Sequence, residues 1–209
     1  NVLTVPMDDD GMDVEAVDRL LGELKADDRL GKVRLIYCTS YFQNPTGSVM
    51  SLARRQALMQ VAEERHLLVI EDDAYGDLIY EGKPETSLYA LSHTQNIVRL
   101  GTFSKIVAAG IRLGWIIAPE PVLVKMAVSK IDGGTSAFTS RAVAEYLQDH
   151  LDDRMDTLIG VYRAKRDAML EVLEEHLDGV ATWSQPRGGV FSWVRLPEEV
   201  DTTTLLEAA

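Results

Sequence analysis

The chain has a single cysteine, Cys38, so no internal disulfide is open to it. That usage suits a reducing compartment, and a cytoplasmic location is the expectation. No apolar run approaches the roughly 20 residues a membrane-crossing helix needs, and no signal-peptide pattern opens the sequence. Positive charge is scarce: 21 Lys and Arg face 33 Asp and Glu, for a net charge of -12. A nucleic-acid surface needs clustered cations to neutralise phosphates, so no nucleic-acid partner is expected. A small anionic ligand stays open, because a local pocket can oppose the global sign. His66, His93, His150 and His176 lack metal-ligand spacing and read as surface or packing residues, so no metal site is expected. Repeats and low-complexity segments are absent too.

What remains is ordinary globular material. Hydrophobic residues make up 46% of 209 positions, enough for a sizeable core. Short apolar, β-rich runs at 33–39, 67–70, 97–100 and 112–118 read as strands. Helical spacing separates them, which indicates a largely parallel α/β sheet. One helix is expected over 14–26 behind an Asp13 cap, with Val14, Val17, Leu20, Leu21 and Leu24 on one face. A second over 51–66 turns Leu58, Val61 and Ala62 inward and Arg54, Arg55, Glu63 and Glu64 outward. A third over 121–131 starts at a proline, and residues 141–177 make one bent helix or two. Beyond Gly179, residues 180–183 and 189–196 look like antiparallel strands around a Pro186-Arg-Gly-Gly189 turn, with Trp193 in the core of a smaller domain. A domain boundary is expected within 156–163. Both ends read as cut, since the chain opens on an extended run without an initiator Met and stops inside a helical pattern.

Chemistry-bearing residues gather just past three strand ends: Gln43-Asn-Pro-Thr-Gly47, Asp72-Asp-Ala-Tyr75 and Thr102-Phe-Ser-Lys105. In open parallel sheets, ligands bind at that edge, where loops converge and helix N-termini point. Singly, each cluster has a plain structural reading. Asn-Pro-Thr-Gly makes a turn, Asp72 and Asp73 can cap a helix, Tyr75 can pack, and Lys105 can solvate a surface. Lys105, however, precedes the small apolar run Ile-Val-Ala-Ala-Gly110, an odd setting for a solubilising lysine. An amine beside an apolar loop is suited to act as a nucleophile.

The order Gln-Asn-Pro-Thr-Gly, Asp-x-x-Tyr, Gly-Thr-Phe-Ser-Lys and Gly-x-Arg-x-Gly resembles the class I/II aminotransferases that use pyridoxal 5′-phosphate (PLP). The resemblance runs from Asp10-Gly-Met-Asp-Val14 to Gly188-Gly-Val-Phe-Ser-Trp193 and is nearest the 2-aminoadipate and kynurenine aminotransferase branch. It implies the aspartate-aminotransferase-like α/β fold of PLP fold type I. A large PLP-binding domain would occupy 1–157, with its N-terminal part missing, and part of a smaller α+β domain 158–209.

By the same resemblance, Lys105 matches the lysine joined covalently to the cofactor, which then shuttles the substrate proton. Asp72 matches the carboxylate paired with the pyridine nitrogen, and its three-residue step to Tyr75 favours it over Asp73. Tyr75 and Asn44 match donors to the 3-hydroxyl oxygen, and Asn44 also faces the substrate carboxylate. Thr102, Ser104 and Arg112 match phosphate contacts, with Gly110 and Gly114 flanking Arg112. Tyr37, Tyr41, Phe42 and Trp115 read as core or pocket wall.

The implied activity moves an amino group between an amino acid and a 2-oxo acid, in a homodimer. A PLP lyase, decarboxylase or oxidase, the effector domain of a transcriptional regulator, and a cofactor-free binding protein are the alternatives. Ala109 departs from the family's usual proline, and the 132–137 loop is unusually rich in glycine. The family's upstream phosphate loop, ring-stacking aromatic and substrate-carboxylate arginine have no counterpart here; Arg187 and Arg195 match other positions.

Overall fold

Helix α1 (Val14–Ala26) begins where Asp13 accepts a hydrogen bond from the Ala16 amide at 2.9 Å, so the first orphan donors of the helix are met at once. Before it lies a short hairpin of β1 (Met7–Asp8) and β2 (Gly11–Met12), which the sequence pattern did not suggest. A computed structural model describes residues 2–93, 96–131 and 134–208.

The central sheet takes the order β3 (Leu35–Thr39), β4 (Leu68–Asp73), β5 (Ile97–Thr102), β6 (Gly114–Ile117). The first three strands run parallel, joined by α2 (Leu52–Glu64) and the short α3 (Leu88–Leu91). Strand β6 pairs antiparallel with β5, because only a turn separates them and a parallel return needs a long crossover. The sheet is therefore largely parallel, as expected, with one reversed edge.

Period-two alternation divides the residues between two faces. Ile36, Cys38, Val69 and Ile97 point to one side, where Val14, Val17 and Leu21 of α1 and Leu58, Met59 and Ala62 of α2 close over them. Leu35, Tyr37, Ile70, Asp72, Leu100, Thr102 and Ile116 occupy the other side, half-buried or exposed, with Val98 buried among them. Gly101 is required by a close approach: a Cβ there would lie 2.1 Å from the Trp115 ring.

Arg55 corrects the expected outward face of α2. Its side chain is fully buried. Nε donates to the Met50 carbonyl at 2.8 Å, Nη2 donates to that of Ser40 at 2.7 Å, and the guanidinium lies 4.1 Å from the Tyr41 ring centre. Its counter-charge is Glu71, also fully buried and 3.5 Å away. Glu71 in turn accepts from Ser40 Oγ at 2.7 Å and from the amides of Leu88 and Tyr89, the first turn of α3. A buried ion pair persists when its remaining lone pairs and protons are also met, and here they are.

After β6, α4 (Glu120–Ser129) leads to α5 (Ala137–Leu177), a single helix of 41 residues capped by Ser136. It runs unbroken through 156–163, so the boundary expected there falls inside the helix. Its middle packs Met155, Leu158, Ile159 and Tyr162 against Leu78, Tyr80 and Ile106. Strands β7 (Thr182–Trp183) and β8 (Val194–Arg195) pair antiparallel as anticipated but are shorter, and α6 (Thr202–Ala208) follows. Trp193 is exposed rather than core. Of the 132–137 loop, Asp132 and Gly133 lie outside the described residues. Among the described residues, no helix is long and apolar enough to cross a membrane.

Two outcomes follow. Arg55→Met leaves the Glu71 carboxylate buried without its cation and should cost about 3–5 kcal/mol in urea unfolding, much of it recovered by adding Glu71→Leu. Burial, and secondarily the Glu71 charge, pushes the Cys38 thiol up to about 12. Cys38 should accordingly resist a thiol reagent at pH 8 in the folded protein and react fully in denaturant.

Candidate active site

Three loops leave the C-terminal ends of β3, β4 and β5 side by side. The first folds on itself: Gln43 Oε1 accepts from the Thr46 amide at 3.1 Å and its hydroxyl at 2.8 Å, while the Gly47 amide donates to the Gln43 carbonyl at 2.7 Å. Gly47 takes a φ of 72° and sits so close to Phe191 that a Cβ would lie 2.9 Å from its carbonyl oxygen. Asn44, followed by a cis peptide bond to Pro45, occupies the exposed apex. Its loop is tied to the second through Tyr41, Phe42 and Tyr75, which pack together.

Strand β4 ends in Glu71, Asp72 and Asp73, and alternation separates them. Asp73 turns to the buried side, where it pairs with the Arg99 guanidinium and Oδ1 accepts from the Gly76 amide at 2.9 Å. Asp72 turns to the open side, level with Thr39 in the strand register. There its Oδ2 accepts a hydrogen bond from Tyr37 Oη at 2.5 Å. Asp72 is thus the one of the three carboxylates on the open face.

Tyr75 follows, buried, with its ring edge-on to Phe191 at 5.3 Å and 83°. Burial, then the Asp72 charge, holds its phenol above the ordinary tyrosine range, so it remains a donor at neutral pH. Lys105 Nζ stands 5.6 Å from the centre of the same ring. The turn that carries Lys105 is fixed from α5: Arg154 Nε and Nη2 each donate at 3.1 Å, to the Ile106 and Val107 carbonyls.

The third loop also builds a cradle. Thr102 Oγ1 accepts from the Ser104 amide at 3.1 Å, and Ser104 Oγ accepts from Arg112 Nη1 at 3.4 Å. Arg112 adopts the left-handed conformation, φ 49° and ψ 42°, which places its exposed side chain back over the loop. Lys105, Tyr75, Asp72, Thr102, Ser104 and Arg112 therefore share one edge of the sheet, and Asn44 stands at the neighbouring loop's tip. A separate cleft of about 630 Å³ opens between the β1–β2 hairpin, Gly47 and Trp183, and neither Lys105 nor Asp72 lines it.

Sequence reading missed four participants. Arg99, Arg55 and Arg154 act across separations of 15 to 48 residues, for which a single sequence carries no signal. Tyr37 was taken as core or wall, yet it is 53% exposed and bonded to Asp72. Alternation along β3 and β4 held the clue, since both residues fall on one face.

The family model described as aminotransferase class I and II matches residues 1–208. The chain is 37% identical over 208 residues to aromatic-amino-acid aminotransferase 1 of Thermococcus litoralis, covering 98% of this chain and 49% of that protein. It is also 37% identical over 193 residues to an uncharacterised HTH-type transcriptional regulator, YisV of Bacillus subtilis, covering 91% of this chain and 38% of that one. Among solved structures, a Pyrococcus horikoshii kynurenine aminotransferase in complex with PMP superposes with a TM-score of 0.93 at 38% identity, over 98% of this chain and 51% of that one. The chain spans about half the length of such relatives or less.

The two adjacent aspartates should separate cleanly by substitution. In cofactor-free protein, Asp73→Asn should cost about 2 kcal/mol in urea unfolding, because it breaks a half-buried charged hydrogen-bond set. Asp72→Asn, on the open face, should stay within about 0.5 kcal/mol of the parent.

Proposed function

Because the chain belongs to the class I and II aminotransferases, we propose that it forms part of an enzyme moving an amino group between an amino acid and a 2-oxo acid, with PLP as cofactor. One observation carries the reading: an amine, a carboxylate, a phenol and a hydroxyl–guanidinium cradle meet at adjoining strand ends on one side of the sheet. That donor set fits a phosphorylated pyridine aldehyde point for point. When bound, PLP supplies an aldehyde carbon for the amine and a ring that accepts the electrons released at Cα.

Each residue then has a task. Lys105 would hold the cofactor through its aldehyde carbon and, once free, its Nζ would take the substrate Cα proton and return it. Asp72 holds a proton on the pyridine nitrogen by its negative charge. Tyr75 Oη and Asn44 donate to the 3-hydroxyl oxygen, and Asn44 also meets the substrate carboxylate. Thr102, Ser104 and Arg112 grip the phosphate, where a planar guanidinium suits a dianion. Residues 1–157 serve as the PLP-binding domain and 158–209 as part of a smaller one. A cytoplasmic homodimer is the setting, and its partners are small molecules rather than nucleic acid.

The likeness to YisV favours a second reading, an effector domain that keeps the cofactor and serves gene control. Asn44, a ligand to both cofactor and substrate, speaks for the enzyme. The full-length protein decides. Exposed to single amino acids, the enzyme loses the visible absorbance of its lysine-bound cofactor with its donors and recovers it with 2-oxo acids. Lys105→Ala should lower turnover by at least about 10³-fold and abolish borohydride trapping of PLP. Trapping that persists in that variant removes Lys105 from its role, and a cofactor-loaded protein inert to every amino acid favours the regulator.

A further inference from the structure

Tyr37 is out of character for a strand residue kept for packing. Its ring is 53% exposed, whereas Tyr41 and Tyr80 are 4% and 6% exposed. What is fixed is the hydroxyl, which reaches from β3 across to β4 and donates to Asp72 Oδ2 at 2.5 Å. The strand register explains the reach. Tyr37 lies opposite Ile70 and Thr39 opposite Asp72, so Tyr37 and Asp72 are diagonal neighbours on one face.

The direction of the bond is set as well. Burial, and then the bond to Asp72, pushes the Tyr37 phenol up to about 12, so the proton stays on Tyr37 at neutral pH. Two cations at this strand end serve other carboxylates: Arg55 pairs with Glu71, and Arg99 pairs with Asp73. A neutral donor on Asp72 leaves its full negative charge in place for a ligand. It also occupies Oδ2 and leaves Oδ1 to point elsewhere.

We propose that Tyr37 is a positioning residue for Asp72, orienting the carboxylate so that its second oxygen faces the pyridine nitrogen. The inference rests on the PLP reading above. Tyr37→Phe keeps the ring and removes only the hydroxyl. It is tested in the full-length protein by the dissociation constant for PLP, alone and combined with Asp72→Ala. Tyr37→Phe should weaken PLP binding about 3- to 10-fold, the effect of one hydrogen bond, and shift the absorption band of the bound cofactor. In the Asp72→Ala background the same change should do nothing, because the group it orients is gone. The melting temperature of the cofactor-free protein should stay put. Unchanged affinity in Tyr37→Phe, or an equal loss with and without Asp72, overturns the assignment while leaving the enzyme reading standing. A wild-type protein that takes up no PLP overturns both.

Discussion

Three carboxylates in a row, Glu71, Asp72 and Asp73, close strand β4, and the site depends on their being sent to opposite faces. Left together on one side they would repel and draw each other's counter-charges. Alternation places Glu71 and Asp73 on the buried side, where Arg55 and Arg99 neutralise them. Burying charge is costly unless it is paired and hydrogen-bonded, so this arrangement needs every partner it has. Glu71 additionally caps α3, and Asp73 fixes the turn at Gly76. The consequence for Asp72 is a place on the open face, where its hydrogen bond comes from the Tyr37 hydroxyl. A slip of one residue in β4 would exchange the roles and bury the wrong acid.

The parts legible in sequence were those with local periodicity or local motif. Strands β3, β4 and β5 were placed within three residues at either end, because apolar β-branched runs bounded by polar loops have few other solutions. Helix α1 followed from its Asp13 cap and its apolar spacing. The candidate site was legible for the same reason: its residues sit in contiguous clusters at strand ends and just past them. Arg55 was misread because a charged residue on a helix is assigned to water by default, and only Glu71, 16 positions on, makes burial tolerable. The β1–β2 hairpin escaped notice because two-residue strands carry no period.

The long helix shows how the missed residues matter. Arg154, Arg163 and Arg166 all project from α5, and each donates to a carbonyl in a different loop: the Lys105 turn, Tyr80 and Pro186. Backbone carbonyls at turns otherwise lack partners, so a row of guanidinium groups fixes three loops from one rigid rod. Lys105 is then held not by its own neighbours in sequence but by an arginine 49 positions away. An amine that must meet one carbon atom gains more from such fixing than from a longer reach of its own.

The same reasoning locates the difference between an enzyme and a sensor built on this scaffold. Holding a phosphorylated pyridine needs the cradle at Thr102, Ser104 and Arg112, the amine of Lys105 and the acid of Asp72, and either function can use all five. Turnover asks more, because the substrate must be oriented as well as the cofactor. Asn44 stands at an exposed loop tip, open to a second molecule. Its loop is rigid by its own hydrogen bonds and by the tight approach of Gly47 to Phe191. A rigid, outward-facing amide is better suited to orienting a second molecule than to securing a first. The exposure of Asn44 therefore supports the proposed enzyme over the sensor at this loop.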